Sequence, residues 1–371
     1  MKKKINVLTI VFLMFTMFAV GCSSTEKTEK TLSEEKAGTR IVTDAVGREV
    51  ELPEEVTTVV PLANALRMMC YADALDLVAG VELGETEKNI VKAYNWVNFD
   101  TFKELPVVGE GGSGGYTPYE EEIVQLNPDV IICGYSQEDA ESLQEKTGIP
   151  VVVINGGTLF GEDYDESLKI IGEVCNKDKR CEEVIEFIKK MKADLNSRTA
   201  NVTDENKPVV YTGAVSFKGG HGIEGTYTNF PPFTALNAID IFGDTEAISE
   251  GVLVEKEKIL TADPDIIFLD PNNISLVNED YTANKDFYNS LTAVKSDKLY
   301  TMLGYNYYYT NVEIALADCY YAGTIIYPNE FSDINPVEKA NEIFSYLLGS
   351  DTYYQELADA GLGFNKITLG E

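Results

Sequence analysis

The chain has little with which to do covalent or metal chemistry. It holds one histidine, His221, and one tryptophan, Trp96, in 371 residues. A single histidine excludes every metal centre built on a histidine pair. It leaves a hydrolytic triad dependent on His221, with Ser216 five residues away in the same loop and nothing to mark a third member. The expectation is that the protein is not an enzyme and carries no cofactor. Basic residues are also scarce, at 30 Lys and Arg against 61 Asp and Glu. A net charge of −31 leaves no basic footprint for a nucleic acid. It also weakens adsorption to an anionic lipid surface.

Long apolar runs are absent too, with one exception at the start. Lys2, Lys3 and Lys4 precede an apolar stretch from Val7 to Val20 that is too short for a transmembrane helix. Small residues and Cys22 follow, so 1–21 reads as a signal peptide. "AVGC" is similar to a bacterial lipobox, which makes Cys22 the acylated residue of the mature chain. Residues 22–38 are polar, charged and low in complexity, and read as a tether. This puts the protein at the extracytoplasmic face of the cell membrane, held by lipid. Five cysteines remain, an odd number. Cys175 and Cys181 bracket "NKDKR", a helix–turn–helix junction, and are candidates for a local disulfide; the alternative is a pair of free, small apolar residues.

What is present is a rhythm of short strands and helices. "TRIVTDAVGREVELP" alternates around a turn and predicts a β-hairpin. The runs at 77–81, 129–134 and 149–154 are strands separated by helical periods, and a second series uses 209–215, 265–270 and 298–303. Between the series, Asp165 to Ala200 carries the longest helical signal, with Val184, Ile185, Ile188 and Met191 on one face. The order implies α/β architecture with mostly parallel sheets. The halves also repeat: "EEIVQLNPDVII" at 121–132 matches "EKILTADPDIIF" at 257–268. Each reads as a helix, a Pro-Asp stop and a buried strand.

These segments, together with "LPVVGEGGSGGYTPYEEEIVQLNPDVIICGY" and "IIYPNEFSDINPVEKANEIFSYLLG", resemble the substrate-binding lipoproteins of ABC importers that carry ferric siderophores, haem and cobalamin. The resemblance covers about Thr39 to Leu362. It implies two similar lobes, 39–164 and 201–371, joined by one long helix in 165–200, with the ligand cleft between them. It implies a permease dimer with its ATPase as partner. By the repeat, it implies Glu121 and Glu257 as one docking carboxylate per lobe. The cargo it implies is a metal complex, with a ferric siderophore as the leading expectation and cobalamin, haem or a metal oxyanion as alternatives.

In α/β sheets ligands meet the loops at the C-terminal strand ends. That rule selects Arg67 for an anionic cargo and Trp96 and Tyr116 for an aromatic one. In the second half it selects Lys218, His221 and Tyr227 from "SFKGGHGIEGTY", and Tyr305 and Tyr307 from "GYNYYYTN". The glycine-rich loop at 109–120 offers backbone N–H groups to an anion, but no Gly-Lys-Ser/Thr follows, so it is not a nucleotide-hydrolysing loop.

Overall fold

The structure, a computed structural model, describes residues 38–112, 116–157, 159–243 and 250–370. The signal peptide, Cys22 and all but the last residue of the tether lie outside the described residues. Gly38–Glu371 forms one compact unit.

The predicted hairpin is present, with Thr39–Thr43 antiparallel to Glu49–Pro53. Its turn is closed by Asp44, whose carboxylate accepts the Val46 and Arg48 N–H groups and holds the Arg48 guanidinium at 2.6 Å. The same Asp44 accepts Val153 N–H, and Arg48 donates to Val151 O, so the turn is fastened to the first lobe's sheet. That sheet is parallel, in the order Val59–Pro61, Val130–Cys133, Val151–Val153. A smaller sheet, Val81–Glu82, Val107–Glu110 and Thr117–Pro118, stands beside it.

The main sheet of the second lobe has five strands in the order Ile239–Asp240, Val209–Gly213, Ile266–Leu269, Leu299–Thr301, Asn365–Lys366. The first four are parallel and the last is antiparallel. Fully buried Val, Ile, Phe and Leu fill the central strands of both lobes, as sheets covered on both faces require.

The sequence repeat is a structural one. Helix Glu120–Leu126 ends on left-handed Asn127, and helix Lys256–Ala262 ends on left-handed Asp263. Each helix buries one isoleucine completely, Ile123 and Ile259. After each Pro, an aspartate turns back to its own lobe's first strand. Asp129 accepts the Thr57 and Thr58 N–H groups, and Asp265 accepts that of Val209. The Pro-Asp dipeptide therefore stops a helix and locks a strand register together.

The linking region is helix Glu162–Cys175 followed by the 22-residue helix Asp178–Thr199, which spans about 33 Å. Asn176 at φ 54° breaks the two apart. The expected Cys175–Cys181 disulfide is not formed. All five described cysteines are free and buried, and loss of hydration pushes both thiols up to about 12. Residues six apart across a helix break pack here as small apolar side chains. The C-terminal helices Pro336–Leu348 and Tyr353–Asp359 complete the core, the first packing on helices Ala65–Tyr71 and Ala93–Phe102 of the first lobe.

One edge residue makes a stability prediction. Asp240 ends the outer strand, and burial raises its carboxyl to about 6 despite N–H donation from Phe242 and Phe230. Its Oδ2 has no hydrogen-bond partner among the described residues. The folded state keeps this proton to about pH 6, whereas the unfolded chain releases it near pH 4. Stability therefore falls as pH rises through that window. Asp240→Asn is expected to stabilise by about 1–2 kcal/mol at pH 7.5 and by much less at pH 4.5, read by thermal melting. Equal gains at both pH values would contradict the assignment.

Candidate ligand cleft

Three strand ends of the second lobe converge on one residue, Ser216. After Val209–Gly213 the chain turns through left-handed Ala214 at φ 60°. Asn273, just beyond Ile266–Leu269, donates to Ala214 O at 2.6 Å and to Ser216 Oγ at 2.8 Å. Asn306, beyond Leu299–Thr301, donates to Ser216 O at 2.8 Å. Asp270 organises the same corner by accepting Asn272 N–H and Asn272 Nδ2, at 2.9 and 2.8 Å. Burial raises the Asp270 carboxyl above its ordinary range, and the hydrogen bonds it accepts offset this only in part.

These residues floor a cleft of about 780 Å³. Ser216, Phe217, Lys218, Gly219 and Gly220 form one wall, and Asn272, Asn273, Gly304 and Asn306 lie next to them. Tyr307, Tyr308 and Tyr309 form the aromatic side, and Val91, Gly111 and Gly112 of the first lobe face them. Among the described residues that line this cleft none is an aspartate or glutamate, in a chain with 61 of them, and the Asp270 carboxylate stands behind Ser216 and Asn272. Its one charged side chain is Lys218, exposed and with no ion-pair partner among the described residues. A recess of about 230 Å³ continues behind Tyr307 and Tyr308, and there the carboxylates reappear: Glu82, Glu85 and Glu87 with Lys88 and Lys92. Glu85 is paired with Lys92 at 3.0 Å and accepts the Tyr94 hydroxyl. Gly111 permits this arrangement, since a Cβ there would stand 2.1 Å from the Tyr308 hydroxyl and 2.4 Å from Glu82.

The residues selected from the sequence divide. Lys218 and Tyr307 line the cleft. Tyr116 stands at its margin, half-exposed, with its ring tilted against Tyr135 at 4.3 Å and its hydroxyl sharing a hydrogen bond with that of Tyr309. His221 does not line it. Its ring lies 4.1 Å from that of Phe217, and Nε2 sits 2.8 Å from Phe217 O. A carbonyl only accepts, so Nε2 carries the hydrogen and His221 braces its own loop. Tyr227 and Tyr305 are buried with Phe230 in an aromatic cluster, ring centres 5.7–6.3 Å apart. Trp96 packs under Lys88 and donates to Glu356 in a C-terminal helix.

Arg67 is buried, and its guanidinium is consumed. It lies 4.8 Å from the Tyr94 ring centre and donates to Asn311 Oδ1, Tyr307 O and Tyr308 O. Its Nε and Nη2 are spent on those partners, which turn it toward 307–311, and it does not line the cleft. The strand-end rule that selected Lys218 applies equally to "DPNNI" at 270–274. Asn272 and Asn273 were therefore within its reach, and Asn306 sits inside the tyrosine segment already selected. Among the described residues, no group of three His, Cys, Asp or Glu side chains is placed to hold a bare metal ion. No helix among them is long and apolar enough to cross a membrane.

Two lobes of parallel sheet, a linking helix and a cleft at the strand ends define a solute-binding protein. The profile of the Periplasmic binding protein family matches residues 70–304, and the chain belongs to that family. It is the extracytoplasmic substrate-binding component of an ABC transporter and not an enzyme. Among curated proteins it is similar to the molybdate-binding protein MolA of Haemophilus influenzae, 23% identical over 339 residues, covering 85% of this chain and 92% of that one. The solved structure of MolA bound to molybdate superposes with a TM-score of 0.66 at 18% identity, over 84% of this chain and 98% of that one. A periplasmic solute-binding protein of Veillonella parvula gives 0.67 at 23% identity, over 88% and 98%. The TroA-like periplasmic binding protein FepB of the same organism gives 0.62 at 21%, over 83% and 96%.

Proposed function

We propose that the protein captures an anionic metal species in this cleft and delivers it to an ABC permease, with a molybdate-type oxyanion as the first reading. The observation that carries it is the charge of the cleft. A chain of net charge −31 surrounds a cleft whose described lining holds no carboxylate side chain and one lysine, Lys218, without an ion-pair partner among the described residues. Binding follows the local field rather than the net charge. Ser216, the exposed glycine backbone at 219–220 and the Asn272 and Asn306 amides add polar groups at the corner. Similarity to a protein that binds molybdate supports the choice of oxyanion.

A second reading has its own observation. About 780 Å³ and three tyrosines exceed what a tetrahedral oxyanion needs, and they suit an anionic ferric chelate of the siderophore type. Calorimetric titration of the purified protein with molybdate, tungstate, a ferric catecholate, cobalamin and sulfate separates the readings. Saturable binding of molybdate and tungstate is the expected result. Binding of the ferric catecholate alone selects the second reading, and binding of uncharged cargo alone removes both.

The delivery half of the proposal uses Glu121 and Glu257, both exposed near the start of the two repeat-related helices. Each has an exposed apolar neighbour three residues on, Val124 at 46% and Leu260 at 41%. Two matched acidic-and-apolar patches, one per lobe, suit a permease dimer presenting two arginines. Acylation of Cys22 would keep the protein close to that permease.

A further inference from the structure

The tyrosine segment does more than line the cleft. It leaves the second lobe at Gly304, crosses to the first lobe, and returns at Asn311 to start helix Val312–Ile326. The side chains of Tyr308 and Tyr309 at its tip make their hydrogen bonds with the first lobe. Arg67 of helix Ala65–Tyr71 takes the carbonyls of Tyr307 and Tyr308. Glu82, itself held by Ala63 N–H at 3.2 Å, accepts the Tyr308 hydroxyl. Tyr116 meets the Tyr309 hydroxyl, and the Tyr309 ring lies over Gly156, where a Cβ would make ordinary contact at 3.5 Å.

The backbone is bent to make these contacts. Tyr308 and Tyr309 both have positive φ, at 49° and 68°, a region that side-chain-bearing residues rarely adopt. Two such residues in succession persist only where surrounding contacts hold them. Asn311 supplies the hold from its own lobe, bonding Tyr305 O and Tyr307 O through Nδ2 while its Oδ1 accepts from Arg67.

We propose that Tyr307–Tyr309 is a clasp between the lobes, and that Arg67 is the residue that positions it. Arg67 touches no cargo; it acts through the carbonyls of the strap. The clasp sets the angle between the lobes, and with it the spacing of the two repeat-related helices Glu120–Leu126 and Lys256–Ala262. Release at the permease then includes undoing contacts that the free protein makes across its own cleft. The proposal is independent of which cargo the cleft takes.

The test is a distance between the lobes. Val124→Cys and Leu260→Cys place one spin label on each repeat-related helix, at exposed sites away from the strap. With Cys22→Ser in the same background, the five described native cysteines, all buried, leave the labels selective. Pulsed dipolar spectroscopy on the parent is expected to give one narrow distance. Arg67→Met, and separately Tyr308→Phe with Tyr309→Phe, should broaden it and shift it by several ångström. Arg67→Lys should fall between, since a lysine keeps the charge but not the fork that spans two carbonyls. Far-UV circular dichroism and thermal melting establish that each variant is folded. The double phenylalanine variant removes two hydroxyls only, so it decides the question if Arg67→Met fails to fold. An unchanged distance in that folded double variant would overturn the clasp.

Discussion

Replacing Glu121 and Glu257 together by alanine is expected to abolish cargo uptake while leaving cargo affinity unchanged. The carboxylates sit on matched helices, and neither lines the cleft. Neither makes an ion pair among the described residues. Losing one side of a desolvated carboxylate–arginine pair costs about 2–5 kcal/mol, much of it from the arginine left unpaired. Each single substitution should lower uptake by at least about tenfold, and the double should leave no measurable transport. The bland alternative is that both residues only favour their helix N-termini. That role is worth about 0.3–1 kcal/mol and would show as a small loss of melting temperature with transport intact. Measuring uptake, affinity and melting on the same variants separates the two. Glu120 serves as the internal control. It is already engaged by Lys146 at 3.0 Å, which lowers its carboxyl below the ordinary range, so Glu120→Ala should leave uptake near normal.

The second large effect belongs to Lys218. Removing the one charged group that lines the cleft should cost an anion about ten- to a hundredfold in affinity, the value of a charge-assisted hydrogen bond. Lys218→Arg should keep most of the binding, and Lys218→Glu should eliminate it by like-charge repulsion. The lysine is exposed, so its contribution should weaken as salt rises, and the alanine variant should show a flatter salt dependence than the parent. Titration calorimetry at two ionic strengths reads both effects. An alanine variant that binds as tightly as the parent would remove Lys218 from the site. Stability should not move in any of these variants, because Lys218 makes no ion pair among the described residues.

The architecture was legible because its signals are local. Apolar runs became the central strands, and the Pro-Asp repeat carried its meaning intact: Asp129 and Asp265 each fasten the strand they precede to the first parallel strand of their own lobe. Lys218 and Tyr307 were reached by a rule about strand ends, which needs only the order of elements. The setting of Arg67 was not legible because its hydrogen-bond partners are 240 or more residues away, and no pattern in the sequence announces a guanidinium that bonds carbonyls of the other lobe. His221 was drawn toward the cleft by its glycine-rich setting. Its actual partner is Phe217, four residues back, which a loop can reach by curling on itself. Tyr227 and Tyr305 turned inward since a phenol cluster around Phe230 buries more apolar surface than a cleft wall does. Spacing alone could not decide whether Cys175 and Cys181 bridge or simply pack, and both are free and buried.

The central claim is that an anionic metal cargo is held at the corner where Ser216, Lys218, Asn272 and Asn306 meet. Crystals grown with molybdate, with diffraction data collected on both sides of the molybdenum absorption edge, test it most directly. The account predicts one anomalous peak in the cleft between the Ser216–Gly220 wall and Asn272, within hydrogen-bonding reach of Lys218. A peak elsewhere on the molecule, or an empty cleft at saturating molybdate in a protein that still binds it in solution, would contradict the account.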